Sequence, residues 1–195
     1  MLKRSDFDPT ALLQFGLFMS MSVINILKDC ESNFGIEGQH VVNNALIRTG
    51  YDVGKQIMEN VEIPPDLSPI ELISFLTTIA NTQAWTSIEG PEIENERKCS
   101  FNILWCPLQD VYKAFDCRVQ RYLVQGIIDA FRDTSPFDLD YQVEFTQTIP
   151  AGAKYCRFIV EQKQQGDQDK WKEYTSILEQ KALKRMREKK KLIDS

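Results

Sequence analysis

The spacing of apolar positions changes period along the chain, and those changes divide it into elements. From Thr10 to Cys30 the residues are apolar nearly all round, which reads as a helix buried on most faces. Asp8 suits its cap and Pro9 its first turn, and Phe34-Gly35 ends it. Between Glu37 and Asn60, Val42, Ala45, Leu46, Thr49, Val53 and Ile57 recur at three- and four-residue steps, the stripe of a second helix. Pro64-Pro65 breaks the pattern. Ser68-Pro69 opens a third helix, with Ser68 as cap, Glu71 at the capping-box position and Leu72, Phe75, Leu76 and Ile79 on the apolar face. The period then drops to two. Trp85 to Glu89 reads as a strand turned by Gly90-Pro91, and Lys98 to Trp105 as a second one with Cys99, Phe101 and Ile103 on one face. Pro107 stops that strand and opens a short helix through Tyr112. Phe115 to Phe131 is helical again, with Val119, Tyr122, Ile127 and Phe131 in its buried stripe. Tyr141, Val143 and Phe145 alternate with polar neighbours, and after Ile149 to Gly152 the chain returns along Tyr155 to Glu161 with Cys156, Phe158 and Val160 facing inward.

From Asp167 the chain is polar and helical, with Trp171, Tyr174, Leu178 and Leu183 placed to dock it. Lys184 to Lys191 is mostly basic, a solvated tail or a contact for an acidic partner. The order predicts an α+β fold: an antiparallel sheet built from two hairpins, packed against a helical layer, with N-terminal helices and a C-terminal helix. Residues 1–165 are expected to form one domain and 166–195 a C-terminal helix with its basic tail.

Composition narrows the function. A chain of 195 residues, 43% hydrophobic, is large enough to bury one core. Its net charge of -5 argues against general nucleic-acid binding. The stretch from Leu12 to Leu27 is shorter than the roughly 20 residues of a membrane span and carries Gln14, Ser20, Ser22 and Asn25, so a helix in the core or at a subunit interface is expected rather than a span. An apolar helix of that size predicts a homodimer. Lys3 and Arg4 are offset by Asp6 and Asp8 with no small-residue cleavage site, so no signal peptide is expected. Five cysteines without scaffold spacing fit reduced thiols in a cytoplasm.

Three of those cysteines, Cys106, Cys117 and Cys156, fall at a strand end, in a helix and in a second strand. Their spacing makes no zinc knuckles, so they are either packed thiols lining one cavity or members of a reactive site. Cys106 precedes Pro107 and a helix start, where free backbone N–H groups favour a thiolate. Cys117 lies near Arg118 and Arg121, which would lower its pKa where they point the same way, and on a helix Arg121, four residues on, shares its face. His40 is the only histidine, one turn after Glu37. Gly50 and Gly54 share a helix face, which serves either close packing against another backbone or room for a ligand. No Gly-rich phosphate loop appears, and neither a cofactor nor a metal is expected.

Two stretches carry a resemblance that spans about residues 33–161. Asn33-Phe34-Gly35-Ile36-Glu37-Gly38, with Ala45 through Gly54, resembles the glycine-spaced N-terminal helix of L-2-amino-thiazoline-4-carboxylic acid hydrolase-like proteins. Cys106-Pro107, Cys117 and Gly152-Ala153-Lys154-Tyr155-Cys156-Arg157-Phe158 are similar to that family's Cys-Pro, mid-helix Cys and Gly-x-x-x-Cys-x-Phe strand. The closing pattern also resembles the vinyl-4-reductase small-molecule-binding domains, whose fold relatives include TRAPP-type subunits. The first resemblance implies a hydrolase that opens a cyclic amidine, 2-amino-thiazoline-4-carboxylate, to N-carbamoyl-cysteine. Such a ring opening needs a nucleophile, an acid for the leaving atom and a cation for the carboxylate. Cys106 or Cys117 as nucleophile, Glu37 or His40 as acid–base group, and Arg118 or Arg157 as anchor would fill those roles, with Cys156 and Gly54 lining the substrate. The alternative is a sensor or carrier of the vinyl-4-reductase type that holds an apolar ligand and turns nothing over.

Overall fold

The computed structural model describes residues 8–85 and 90–193. Its first helix, α1 (Pro9–Asn60), starts at the expected cap: Thr10 N donates to Asp8 Oδ1 at 2.9 Å, with Pro9 in the first turn. It bends sharply at Gly35, whose φ of 63° and ψ of -133° favour a residue without a Cβ. The bend sets Gly38 against the backbone carbonyl of Cys30. α1 is therefore two helical segments meeting where Phe34-Gly35 was expected to end the first. α2 (Pro69–Trp85) opens with the expected capping box, in which Ser68 N donates to Glu71 Oε2 at 2.9 Å.

A four-stranded antiparallel sheet follows, with strands β1 (Glu92–Asn95), β2 (Lys98–Ile103), β3 (Tyr141–Gln147) and β4 (Cys156–Gln162) in the order β1-β2-β4-β3. The strand expected at Trp85 to Glu89 lies outside the described residues from Thr86 onward, and Trp85 itself ends α2. The first hairpin turns instead at Glu96-Arg97, where Arg97 N donates to the side chain of Asn95. An asparagine that accepts from the backbone two residues on makes a tight turn without Gly-Pro. The expected helix after Pro107 is a run of hydrogen-bonded turns, with Gln109 N bonded to Cys106 O and Tyr112 N to Leu108 O. A short 3-10 turn, Ala114–Cys117, then leads into α3 (Arg118–Thr134).

Alternation sorts the sheet into two faces. Cys99, Phe101 and Ile103 of β2 pair with Val160, Phe158 and Cys156 of β4, and Val143 and Phe145 of β3 complete the inward face. Phe158 anchors it, stacked on Phe101 at 5.1 Å and edge-on to Phe145 at 4.2 Å. Aromatic pairs of this geometry add to the burial of their area. α2 and α3 cover this side, and α1 packs along α3. That last contact is close because glycines face it: Gly50 meets Leu123, Gly54 meets Ile127 and Ala130, and Gly126 meets Ile47 and Tyr51. α4 (Lys170–Ile193) docks through Trp171, Leu178 and Ala182, and touches β3 and α1. The whole is an α+β fold with N-terminal helices and a C-terminal helix.

Candidate functional site

Three segments converge at the end of β2. Cys106 is held by the turn that follows that strand. Its thiol accepts the Leu108 N–H at 3.4 Å, and its own N–H donates to Gln109 Oε1. Cys117 closes the 3-10 turn, which Lys113 and Asp116 fix by a hydrogen bond from Lys113 N to Asp116 Oδ2. Cys156 opens β4 and accepts the Ile149 N–H at 3.2 Å from the β3–β4 connection. The three thiols line one small cavity of about 30 Å³ with Ile103, Phe145 and Phe158, and Thr148 and Gln120 are among its few polar neighbours. A space of that size holds one or two waters, or a methyl-sized part of a larger ligand.

Burial dominates the electrostatics of this cavity. It pushes the Cys117 thiol up to about 12, with Cys156, Cys106 and Asp116 adding to the rise. It pushes Cys106 upward too, partly offset by the Leu108 N–H, and it raises Cys156 against the pull of the Ile149 N–H. All three are therefore neutral thiols at pH 7. Against the thiolate expected at Cys106, the two local N–H contacts pull its pKa down by less than the loss of water pushes it up, so the net shift is upward. Arg121 does not lower Cys117 either, since its guanidinium is directed at α4. Among the described residues, no group of three or more His, Cys, Asp or Glu is arranged to hold a metal ion.

The other expected site residues are dispersed. Arg118 is buried against Glu31 of α1: Nη2 donates to Oε2 at 3.0 Å and Nη1 lies 2.5 Å from Oε1, so its charge is already matched. Arg157 is on the opposite face of the sheet from the cysteines, bonded to Ser100, Asn102 and Glu94. Glu37 is exposed on α1. His40 reaches α4, with Nε2 3.0 Å from Glu179 Oε1. Gly54 has α3 against it: a Cβ there would lie 2.7 Å from the Ile127 carbonyl oxygen, which leaves no room for a ligand. Of the eight expected residues, the structure brings together Cys106, Cys117 and Cys156, with Arg118 beside Cys117 in the adjoining groove.

Sequence reasoning missed the part supplied by α4. Arg121 is 2% exposed, donates to Thr175 Oγ1 and to the Trp171 carbonyl, and lies 5.0–5.1 Å from the rings of Tyr122, Trp171 and Tyr174. Around it runs a groove of about 550 Å³ between α3, β3 and α4. The available signal was an arginine one helical step from Tyr122 in the buried stripe of α3, facing Trp171, Tyr174 and Thr175 on one face of α4.

No family model matches the chain. A protein from Archaeoglobus fulgidus described as an uncharacterized protein is 45% identical over 186 residues, covering 93% of this chain and 83% of that protein. At that identity and coverage the two share one fold and one ancestry, and the chain belongs to the same family as this archaeal protein.

Proposed function

We propose that this protein is a small-molecule-binding domain that holds a ligand with an apolar body between the sheet, α3 and α4, and does not use a cysteine nucleophile. The observation that carries this reading is the set of three neutral thiols lining one apolar cavity beside an open groove. A thiol kept protonated by burial packs well against a ligand and attacks poorly. The resemblance to vinyl-4-reductase-type domains agrees with it. The hydrolase reading needs a thiolate at Cys106 or Cys117 with an acid–base partner at hand. His40 and Glu37 line neither the cavity nor the groove, so binding is the better-supported reading.

Native mass spectrometry of freshly purified protein, paired with thiol labelling at pH 7.5, tests the reading. The expected result is a retained small molecule and cavity thiols that label only after denaturation. Rapid labelling of Cys106 or Cys117 in the native protein, together with consumption of a thiazoline carboxylate, would replace binding by catalysis. A homodimer is part of the same proposal and rests on the exposed apolar face of α1.

A further inference from the structure

The groove beside the cysteine cavity is charged unevenly. It shares Cys117, Phe145 and Thr148 with the cavity, so the two spaces adjoin. α4 contributes Lys181, Lys184 and Arg185 to its wall, and Glu188 is its one carboxylate among the described residues. Arg118 adds little net charge, because Glu31 matches it at 2.5 Å and 3.0 Å. Arg121, Lys181, Lys184 and Arg185 have no carboxylate within ion-pair distance among the described residues. This gathering of positive charge belongs to a chain whose net charge is -5, so it is a local feature against the field of the whole molecule.

Arg121 is the most telling of these cations. A guanidinium 2% exposed is costly to bury, and although Asp169 and Glu179 act on Arg121 electrostatically, neither is within ion-pair distance. Two hydrogen bonds to α4 and the faces of Tyr122, Trp171 and Tyr174 offset part of that cost. The same arginine lines the groove, so an anion placed there would supply the direct ion pair that Asp169 and Glu179 do not make. Phe145, Tyr174 and Leu178 meanwhile give the groove an apolar side that leads toward the cysteines.

We infer that the groove takes an organic acid: its anionic head lies among Arg121 and the α4 cations, and its apolar or aromatic body lies on Phe145 and Tyr174 toward the cysteine cavity. The inference rests on the small-molecule-binding reading and adds the charge of the ligand to it. It also gives a role to the basic end of α4, whose cations face the domain across this groove.

Calorimetric titration of the full chain with 2-naphthoate, 2-naphthamide and acetate tests it. The acid and the amide match in size and differ in charge, and acetate presents the head alone. The expected result is 2-naphthoate binding at least tenfold tighter than 2-naphthamide, and at least tenfold tighter than acetate. In the double variant Lys181→Gln, Lys184→Gln, both exposed positions, the acid should weaken at least fivefold and the amide stay within twofold. Equal affinity for acid and amide would overturn the inference and leave the binding reading standing. Acetate as tight as 2-naphthoate, or an acid affinity untouched by the double variant, would also overturn it. Binding of neither naphthyl compound would remove the binding reading and the inference together.

Discussion

Arg118 and Arg121 sit one turn apart at the start of α3 and meet opposite fates. Arg118 turns toward α1 and is matched by Glu31, a buried pair whose disruption from one side costs on the order of 3–5 kcal/mol. Arg121 turns toward α4 and finds aromatic faces and neutral acceptors, but no carboxylate within ion-pair distance. The sequence shows two similar residues at helical spacing, and only the partners brought by Glu31 and Trp171 separate their roles. The buried thiols carry a residue-scale prediction. Cys99 and Cys117 are both pushed up to about 12, mainly by burial. In the unfolded chain they ionise near the ordinary thiol value of roughly 8.5. Between those values the unfolded chain binds fewer protons than the native one, so stability falls as pH rises, at a limit of about 1.4 kcal/mol per pH unit for each group. Their contribution is fully present below pH ~8.5. Thermal melts from pH 8 to 10.5 should show Tm falling steadily, and the fall should be shallower in Cys117→Ala. A decline of equal slope in that variant would mean that Cys117 ionises as freely in the native protein as in the unfolded chain.

At the scale of elements, the contact between α1 and α3 is set by glycines on both helices. Gly126 is the tightest point: a Cβ there would lie 1.9 Å from the Ile47 carbonyl oxygen, and the neighbour is backbone that cannot rotate away. Replacing an interior helix glycine by alanine gains about 1 kcal/mol of helix propensity. Forcing two packed helices apart costs roughly 1–3 kcal/mol, and more where backbone must move. The clash wins at this site, so Gly126→Ala should lower Tm by several degrees. Gly16 has nothing within 4 Å of its Cβ position, so Gly16→Ala should leave Tm level or raise it. If both variants melt alike, the close approach of α1 and α3 is not what holds this layer. Much of the element structure was legible for local reasons. The Asp8 cap, the Ser68–Glu71 box, the Gly35 bend and the inward face of Cys156, Phe158 and Val160 all depend on neighbours in sequence. The displaced first hairpin was not legible, because Gly90-Pro91 is a stronger local turn signal than the Asn95 side chain that makes the turn. The site divides in the same way. Meeting cysteines were foreseeable from strand and helix placement. The groove was not, because it depends on how a polar terminal helix docks across β3.

At the scale of the molecule, the first half of α1 is the feature the rest of the fold does not use up. Pro9 to Leu27 contains no charged residue, and by length and composition α1 can cross a membrane. Only the later part of this segment is docked along one face: Ile24 and Leu27 are buried and Tyr112 Oη donates to the Ser20 carbonyl at 3.4 Å, while Pro9 to Gly16 are exposed all round. Leu12, Phe15, Phe18, Met19 and Ile26 share the other face and are exposed, Phe18 by 64%. From Ile24 to Leu27, where the helix is bound to its own domain along one side, it does not present the apolar circumference that a single span in lipid requires. The net charge of -5 also works against an anionic membrane surface. A second copy answers both points, since a two-fold axis places the same stripe against itself and buries it twice. Sedimentation at micromolar concentration should therefore give a dimer. Phe18→Glu puts a charge in the middle of the stripe, where desolvating it without a partner is costly, so this variant should sediment as a folded monomer. The substitution is on the exposed face, so the far-UV circular dichroism should not change. A wild-type chain that is monomeric at those concentrations, and floats with lipid vesicles instead, would assign the stripe to a bilayer and remove the dimer.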